Sequence, residues 1–206
     1  MKAYREIIAH YEACLQIHGD NHKGVDWPNA EGAAKRYQVM LELIRDKQER
    51  QTLLDFGCGA AHLKDFIDQN NISYVEYAGL DVSSLFVSLS RRKHPDTPFF
   101  CQDILESATG LPTYDYVVMN GVFTEKRSLS FTDMWDFFTR TLIAAFGLAS
   151  KGIAFNVMSK QVDWERDDLF HVPLDAIASL LTQSVSRNFV IRNDYGMYEY
   201  TVYVYR

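Results

Sequence analysis

Apolar residues at Tyr4, Ile7, Ile8, Tyr11 and Leu15 recur at helical spacing and predict a first helix from Tyr4 to His18 with one sticky face. The turn-forming cluster Gly19-Asp20-Asn21-His22-Lys23-Gly24 follows. Val25-Asp26-Trp27-Pro28-Asn29 then leads into a second helix through Tyr37, Met40, Leu41 and Ile44. From Leu53 the pattern changes. Leu53-Leu54-Asp55-Phe56 is a short apolar run that breaks at Gly57-Cys58-Gly59-Ala60-Ala61, and Leu63, Phe66 and Ile67 resume helical spacing. This reads as a buried strand turning sharply into a helix, at a bend where glycines let backbone N–H groups approach a ligand. Val75 to Asp81 is a second strand ending in an acid, followed by Ser83-Ser84 and the helical spacing of Leu85, Phe86 and Leu89. Pro98 to Asp103 is a third strand, again ending in a carboxylate. Tyr114 to Gly121 is a fourth, ending in Asn120-Gly121.

Ser130-Phe131-Thr132-Asp133 has capping-box spacing and opens a long helix carrying Met134, Trp135, Phe138, Leu142 and Phe146, read as core residues. Gly152 to Met158 gives a fifth strand, a polar stretch runs from Ser159 to Asp168, and Pro173 starts another helix. Asn188 to Arg192 and Tyr198 to Tyr205 read as a closing hairpin. Strand, polar end and helix repeat in order. In a parallel sheet with right-handed crossovers the polar ends meet along one crevice, the binding place of open α/β folds.

Composition narrows the class. A chain of 206 residues with 47% hydrophobic content suits one compact domain, with no linker or repeat evident. The net charge of −6 and scattered basic residues, Arg91-Arg92-Lys93 apart, argue against a nucleic-acid partner. Charged residues at Lys2, Arg5 and Glu6 argue against a signal peptide, and no apolar run reaches membrane-spanning length. The three cysteines, Cys14, Cys58 and Cys101, show no paired spacing, so neither a disulfide framework nor a metal is expected, and a cytoplasmic setting fits. The oligomeric state is open.

The order of these motifs resembles the class I S-adenosylmethionine-dependent methyltransferases. The resemblance runs over about residues 50–160, with the terminal hairpin similar to the last two strands of that fold. It implies an α/β Rossmann-like fold: a seven-stranded, mostly parallel sheet with an antiparallel C-terminal hairpin and a helical N-terminal leader. The chain would be a single methyltransferase domain, residues 1–49 forming a leader or lid and 50–206 the core. In the family's glycine motif, Asp55, Gly57 and Gly59 match, with Cys58 between the glycines and Ala61 replacing the last one. The resemblance places Asp81, with Val82 beside it, on the ribose hydroxyls and Asp103 with Ile104 near the adenine. Asn120 and Gly121 fall next to the methionine tail. The leader, with His18-Gly19-Asp20, Val25 to Pro28 and Arg36-Tyr37, is also similar to small bacterial methyltransferases encoded near sugar and cell-envelope genes.

The implied cofactor is S-adenosylmethionine and the product S-adenosylhomocysteine, with a small polar acceptor, sugar-like or otherwise, methylated on oxygen. Several residues carry two readings. Asp81 precedes Ser83 at a helix start and could serve a cap. Asp103 could sit in a solvated turn, and Asp55 could shape its loop through backbone N–H groups. Arg36 could form a surface ion pair or reach the cofactor carboxylate as a fork. Tyr11 and Trp27 could close over the sulfonium, or Tyr11 could belong to its helix's buried stripe and Trp27 to ordinary packing. An oxygen acceptor needs a base, for which His18, Asp163, Glu165 and His171 are candidates that sequence does not rank. Two other functions compete. A nicotinamide oxidoreductase would share Gly57-Cys58-Gly59 with Asp81 downstream, but its third small residue falls at the bulky His62. A non-catalytic cofactor-binding protein is the other.

Overall fold

A computed structural model describes residues 4–206; Met1, Lys2 and Ala3, whose charge entered the signal-peptide argument, lie outside the described residues. The leader consists of α1 (Arg5–His18), a short 3-10 turn (His22–Val25) and α2 (Ala30–Leu41). The core alternates β1 (Gln51–Phe56), α3 (His62–Gln69), β2 (Val75–Asp81), α4 (Ser84–Lys93), β3 (Phe99–Cys101) and β4 (Tyr114–Phe123). It continues through α5 (Phe131–Gly147), β5 (Ala149–Ser159), β6 (His171–Val172), α6 (Leu174–Ser184), β7 (Phe189–Arg192) and β8 (Glu199–Tyr205).

The sheet order is β3-β2-β1-β4-β5-β8-β7, with β6 paired to β5 off this path. Strands β1 to β5 are mutually parallel, and β8 runs antiparallel to both β5 and β7. This is the expected Rossmann-like sheet with two refinements. Only β8 opposes the rest, because the hairpin places β7 outside it and thereby parallel to the main sheet. The two-residue β6 lies where sequence showed only a helix start, too short to produce a periodic pattern.

Burial on both faces gives the central strands continuous apolar middles, Leu53-Leu54 in β1 and Tyr116 to Met119 in β4. Leu54, Val117 and Met119 face the core under α5, whereas their neighbours Leu53, Tyr116 and Val118 face α2 and α3. Of the α5 aromatics read as core, Phe138 and Phe146 are buried and Trp135 is half-buried against the cluster; Phe138 packs against Phe123, Phe155 and Phe170 at ring distances of 4.9, 5.4 and 5.9 Å. Ser130 caps α5 by accepting the Asp133 N–H at 3.1 Å and donates its hydroxyl to the Asp133 carboxylate at 2.6 Å. These elements fix the C-terminal ends of β1, β2 and β4 side by side, with α1 laid across them.

Candidate active site

Strand β1 ends against its neighbour: the Gly57 N–H donates to the Leu80 carbonyl at 2.7 Å, and Gly57 adopts φ +73°. A Cβ at Gly57 would lie 2.6 Å from the Val122 side chain, so the bend requires glycine for conformation and space alike. Ala61, in place of the family's last glycine, also takes a left-handed conformation, at φ +59°, and opens α3 with no side-chain cap. The departure therefore bears on backbone strain as well as on helix packing.

Asp81 ends β2 with both oxygens engaged by backbone, Oδ2 by the Gly59 N–H at 2.9 Å and Oδ1 by the Ser83 N–H at 2.8 Å. The helix cap itself is Ser83, whose hydroxyl accepts the Phe86 N–H. Asp81 thus locks the glycine bend to the start of α4, and each oxygen keeps acceptor capacity toward the cleft. Burial raises its pKa from the ordinary carboxylate value. Asp55 is also buried, and its contact is the Tyr77 hydroxyl at 2.8 Å, not the backbone N–H groups expected from sequence. Burial, reinforced by the charge of Asp81, pushes its pKa up to about 7.

Every residue read from sequence as a cofactor contact lines one cleft, with the single exception of Arg36. Strand β3 stops at Cys101, two residues earlier than expected. Asp103 therefore sits in a turn, accepting the Leu105 N–H at 3.0 Å and the Tyr4 hydroxyl at 2.5 Å. Cys58 and Ile104 are buried in the wall and Val82 is on the rim. Asn120 Oδ1 is buried in the same cleft with no hydrogen-bond partner among the described residues. An unsatisfied acceptor of this kind is costly without a ligand donor, so this set of acceptors fits a nucleoside amino acid, with its hydroxyls and amine, better than an empty turn.

The leader seals this cleft. Tyr11 donates to the Gly121 carbonyl at 3.2 Å, the Ser83 hydroxyl donates to Glu12, and Gly121 (φ +79°) leaves room for the Trp27 ring, 2.8 Å from where its Cβ would be. Tyr11→Phe is expected to cost about 1 kcal/mol of stability, the worth of one such hydrogen bond, readable in a urea titration.

Arg36 departs from both sequence readings. Its guanidinium forks onto Glu199, with Nη2 to Oε2 at 2.7 Å and Nε 2.9 and 3.0 Å from the two oxygens, and it lies over Trp27 at 4.3 Å. Glu199 is sealed in β8, so the pair is interior and not a surface bridge, and Arg36 faces a second cavity. The planar guanidinium matches a carboxylate in two places, which explains the choice of partner.

This second cavity adjoins the first, sharing Tyr11 and Trp27 as wall. Of the four sequence candidates for a base, His18, Asp163 and His171 border it, and Glu165 does not, pairing instead with Lys160 at 3.1 Å. His171 has both ring nitrogens committed, Nδ1 to the Ser159 carbonyl at 2.7 Å and Nε2 to the Arg166 N–H at 3.2 Å. Asp163 accepts the Tyr198 hydroxyl at 3.1 Å, and His18 is exposed at the end of α1. The buried carboxylate of Glu125, just past β4, also lines the cavity and was not singled out from sequence.

Sequence spacing gave no metal site, yet the fold joins His10 and Cys14, one helical turn apart, to Asp26. His10 Nε2 lies 2.8 Å from Asp26 Oδ2 and 3.7 Å from Cys14 Sγ, contacts that tie α1 to the turn after it. No helix among the described residues is long and apolar enough to cross a membrane.

Residues 54–141 match the family model described as a methyltransferase domain. A protein of Mycobacterium tuberculosis described as a methyltransferase is 27% identical over 155 residues, covering 73% of this chain and 90% of the relative. The dTDP-4-amino-2,3,4,6-tetradeoxy-D-glucose N,N-dimethyltransferase of Saccharopolyspora spinosa is 34% identical over 92 residues, 44% of this chain and 33% of that protein. Among solved structures, magnesium protoporphyrin IX methyltransferase from Synechocystis PCC 6803 with bound SAM superposes with a TM-score of 0.67 at 14% identity, over 100% of this chain and 98% of the other. The core thus adopts the Rossmann-like fold of that structure, and its residues 54–141 are similar to methyltransferase domains.

Proposed function

We propose that residues 1–206 form a single S-adenosylmethionine-dependent methyltransferase domain, with residues 1–49 as its lid, that methylates a small polar acceptor on a hydroxyl oxygen. The observation that carries this reading is the pair of adjoining cavities divided by Tyr11 and Trp27. One is built for a nucleoside amino acid and the other is open to a second molecule.

When bound, the cofactor supplies a sulfonium whose methyl carbon is electrophilic. The protein's part is to hold, orient and exclude water. Asp81 accepts from the ribose hydroxyls through the lone pairs left by Gly59 and Ser83. Asp103 and Ile104 border the base. Asn120 Oδ1, buried without a partner among the described residues, would take a donor from the cofactor's amino-acid end. Trp27, held between Gly121 and Arg36, and Tyr11 wall the reacting region from solvent.

An amine acceptor is a second reading. The aminosugar specificity named for the Saccharopolyspora relative and the carboxylates of Asp26, Glu125 and Asp163 around the second cavity favour it. An oxidoreductase is disfavoured by the methyltransferase-domain match and by His62, which is occupied with Asp20 at 2.7 Å. Methyl-labelled cofactor incubated with sets of sugars, nucleotide sugars, phenols and their amino analogues tests the acceptor. Label is expected to appear on hydroxyl compounds with matching release of S-adenosylhomocysteine. Label confined to amines would overturn the oxygen assignment, and none above the acceptor-free rate would favour a binding-only protein.

A further inference from the structure

The end of β4 passes from one cavity into the other within a few residues. Asn120, Gly121 and Val122 line the cofactor cleft, and Thr124 and Glu125 line the second cavity. Thr124 turns its hydroxyl back to the Gly121 carbonyl at 3.1 Å, the same oxygen that receives the Tyr11 hydroxyl. Glu125 follows directly. Its place is pinned from the far side, since the Phe170 N–H donates to the Thr124 carbonyl at 2.8 Å, and Glu125 forms a bridge with Leu169.

The Glu125 side chain is about 10% exposed, and Oε2 meets Arg127 Nη1 at 3.3 Å. Oε1 has no hydrogen bond among the described residues and is not sealed from solvent, and the residue lines the second cavity. Of the other acids there, Glu199 has both oxygens engaged, and Asp26 and Asp163, each with one oxygen engaged, are exposed where Glu125 is buried. Both oxygens of Glu199 are taken by Arg36 and Asn156, Asp26 is paired with His10, and Asp163 meets Tyr198 at the exposed rim. His171 has no ring nitrogen to spare.

Resting on the methyltransferase reading above, we infer that Glu125 is the catalytic residue that takes the acceptor's proton, its Oε1 facing the acceptor heteroatom where the two cavities meet. As the hydroxyl O–H bond breaks, its proton passes to Glu125 Oε1. The oxygen lone pair forms the new O–C bond, and the C–S pair withdraws to sulfur, leaving a thioether and a neutral carboxyl that loses its proton to solvent through the second cavity. The surroundings suit this role. Burial and the charges of Asp26 and Asp168 raise the Glu125 pKa, and Arg127 lowers it in part. Tyr11 and Cys14, from α1, and Arg166, from the segment before β6, also feel its charge. A carboxylate made more basic in this way is a better proton acceptor.

The inference is testable without the acceptor. Protein labelled with 13C at glutamate carboxyls is titrated by NMR in its S-adenosylhomocysteine and S-adenosylmethionine complexes, the Glu125 signal being assigned by its loss in Glu125→Gln, or by its loss in Glu125→Asp if the first variant does not fold. With the neutral sulfur ligand Glu125 is expected to titrate above the ordinary glutamate value. The sulfonium should bring it down by about one unit, as a unit charge within a few ångströms does at moderate effective dielectric. An ordinary midpoint, or the same midpoint with both ligands, overturns the assignment and leaves the methyltransferase reading intact. Failure of both ligands to bind overturns that reading, and the assignment with it.

Discussion

Asp81→Ala is expected to weaken S-adenosylhomocysteine binding by at least about 100-fold in calorimetry, the value of two charge-assisted hydrogen bonds to ribose. The carboxylate also receives the Gly59 and Ser83 N–H groups at 2.9 and 2.8 Å, so the substitution loosens the glycine bend as well. Asp81→Asn separates the two effects. An amide oxygen can still accept one backbone N–H, but its NH2 group faces a donor where the carboxylate offered an acceptor. Binding should therefore remain weak while the fold, followed by far-UV dichroism, stays intact. Unchanged affinity in either variant would remove Asp81 from the cofactor's contacts.

The second large effect is at Asp55, and it appears in stability as a function of pH. A carboxyl held at about 7 in the folded state against 3.8 as its ordinary value binds its proton more tightly folded than unfolded. Its contribution to stability is therefore full below the unfolded pKa, declines as pH rises from about 4 to about 7 and is absent, as a net buried-charge cost, above that. At 1.36 kcal/mol per unit, the cost at pH 8 amounts to as much as about 4 kcal/mol. Asp55→Asn keeps an acceptor for the Tyr77 hydroxyl without the charge. Urea titrations should show the variant more stable than the parent at pH 8 and no more stable at pH 4. A parallel pH dependence of the two proteins would contradict the charged, buried state. The same variant should bind S-adenosylmethionine less tightly, because Asp55 lies in the cleft that would receive a cationic ligand.

Much of the fold was legible because it is written locally. Strand, polar end and helix are short-range patterns, and β2 was located by a run of apolar residues closing on Asp81. The same locality revealed the cleft, since Asp55, Gly57 and Asp81 stand at strand ends and Asn120 where the pairing of β4 becomes irregular after Met119, whatever their distant partners. Contacts between far-apart residues were not readable. Arg36 meets Glu199 across 163 positions and Tyr4 meets Asp103 across 99, and neither partner carries a local sign of the other. Glu125 lies in Thr124-Glu125-Lys126-Arg127, which reads as a solvated polar loop. Its burial comes from the segment around Leu169 folding over it, a tertiary event with no periodic trace. His171 shows the converse: a histidine in a polar stretch invites a catalytic reading, and the fold uses it to brace Ser159 and the Arg166 backbone.

The central claim, that carboxylates at the ends of separate β-units together hold a methyl donor's nucleoside, is met most directly by titrating the intact protein with S-adenosylmethionine, S-adenosylhomocysteine and NAD in a calorimeter. Saturable one-to-one binding of both sulfur nucleosides, with no heat of binding from NAD, is the predicted result. Saturable binding of NAD with neither sulfur nucleoside bound would contradict it.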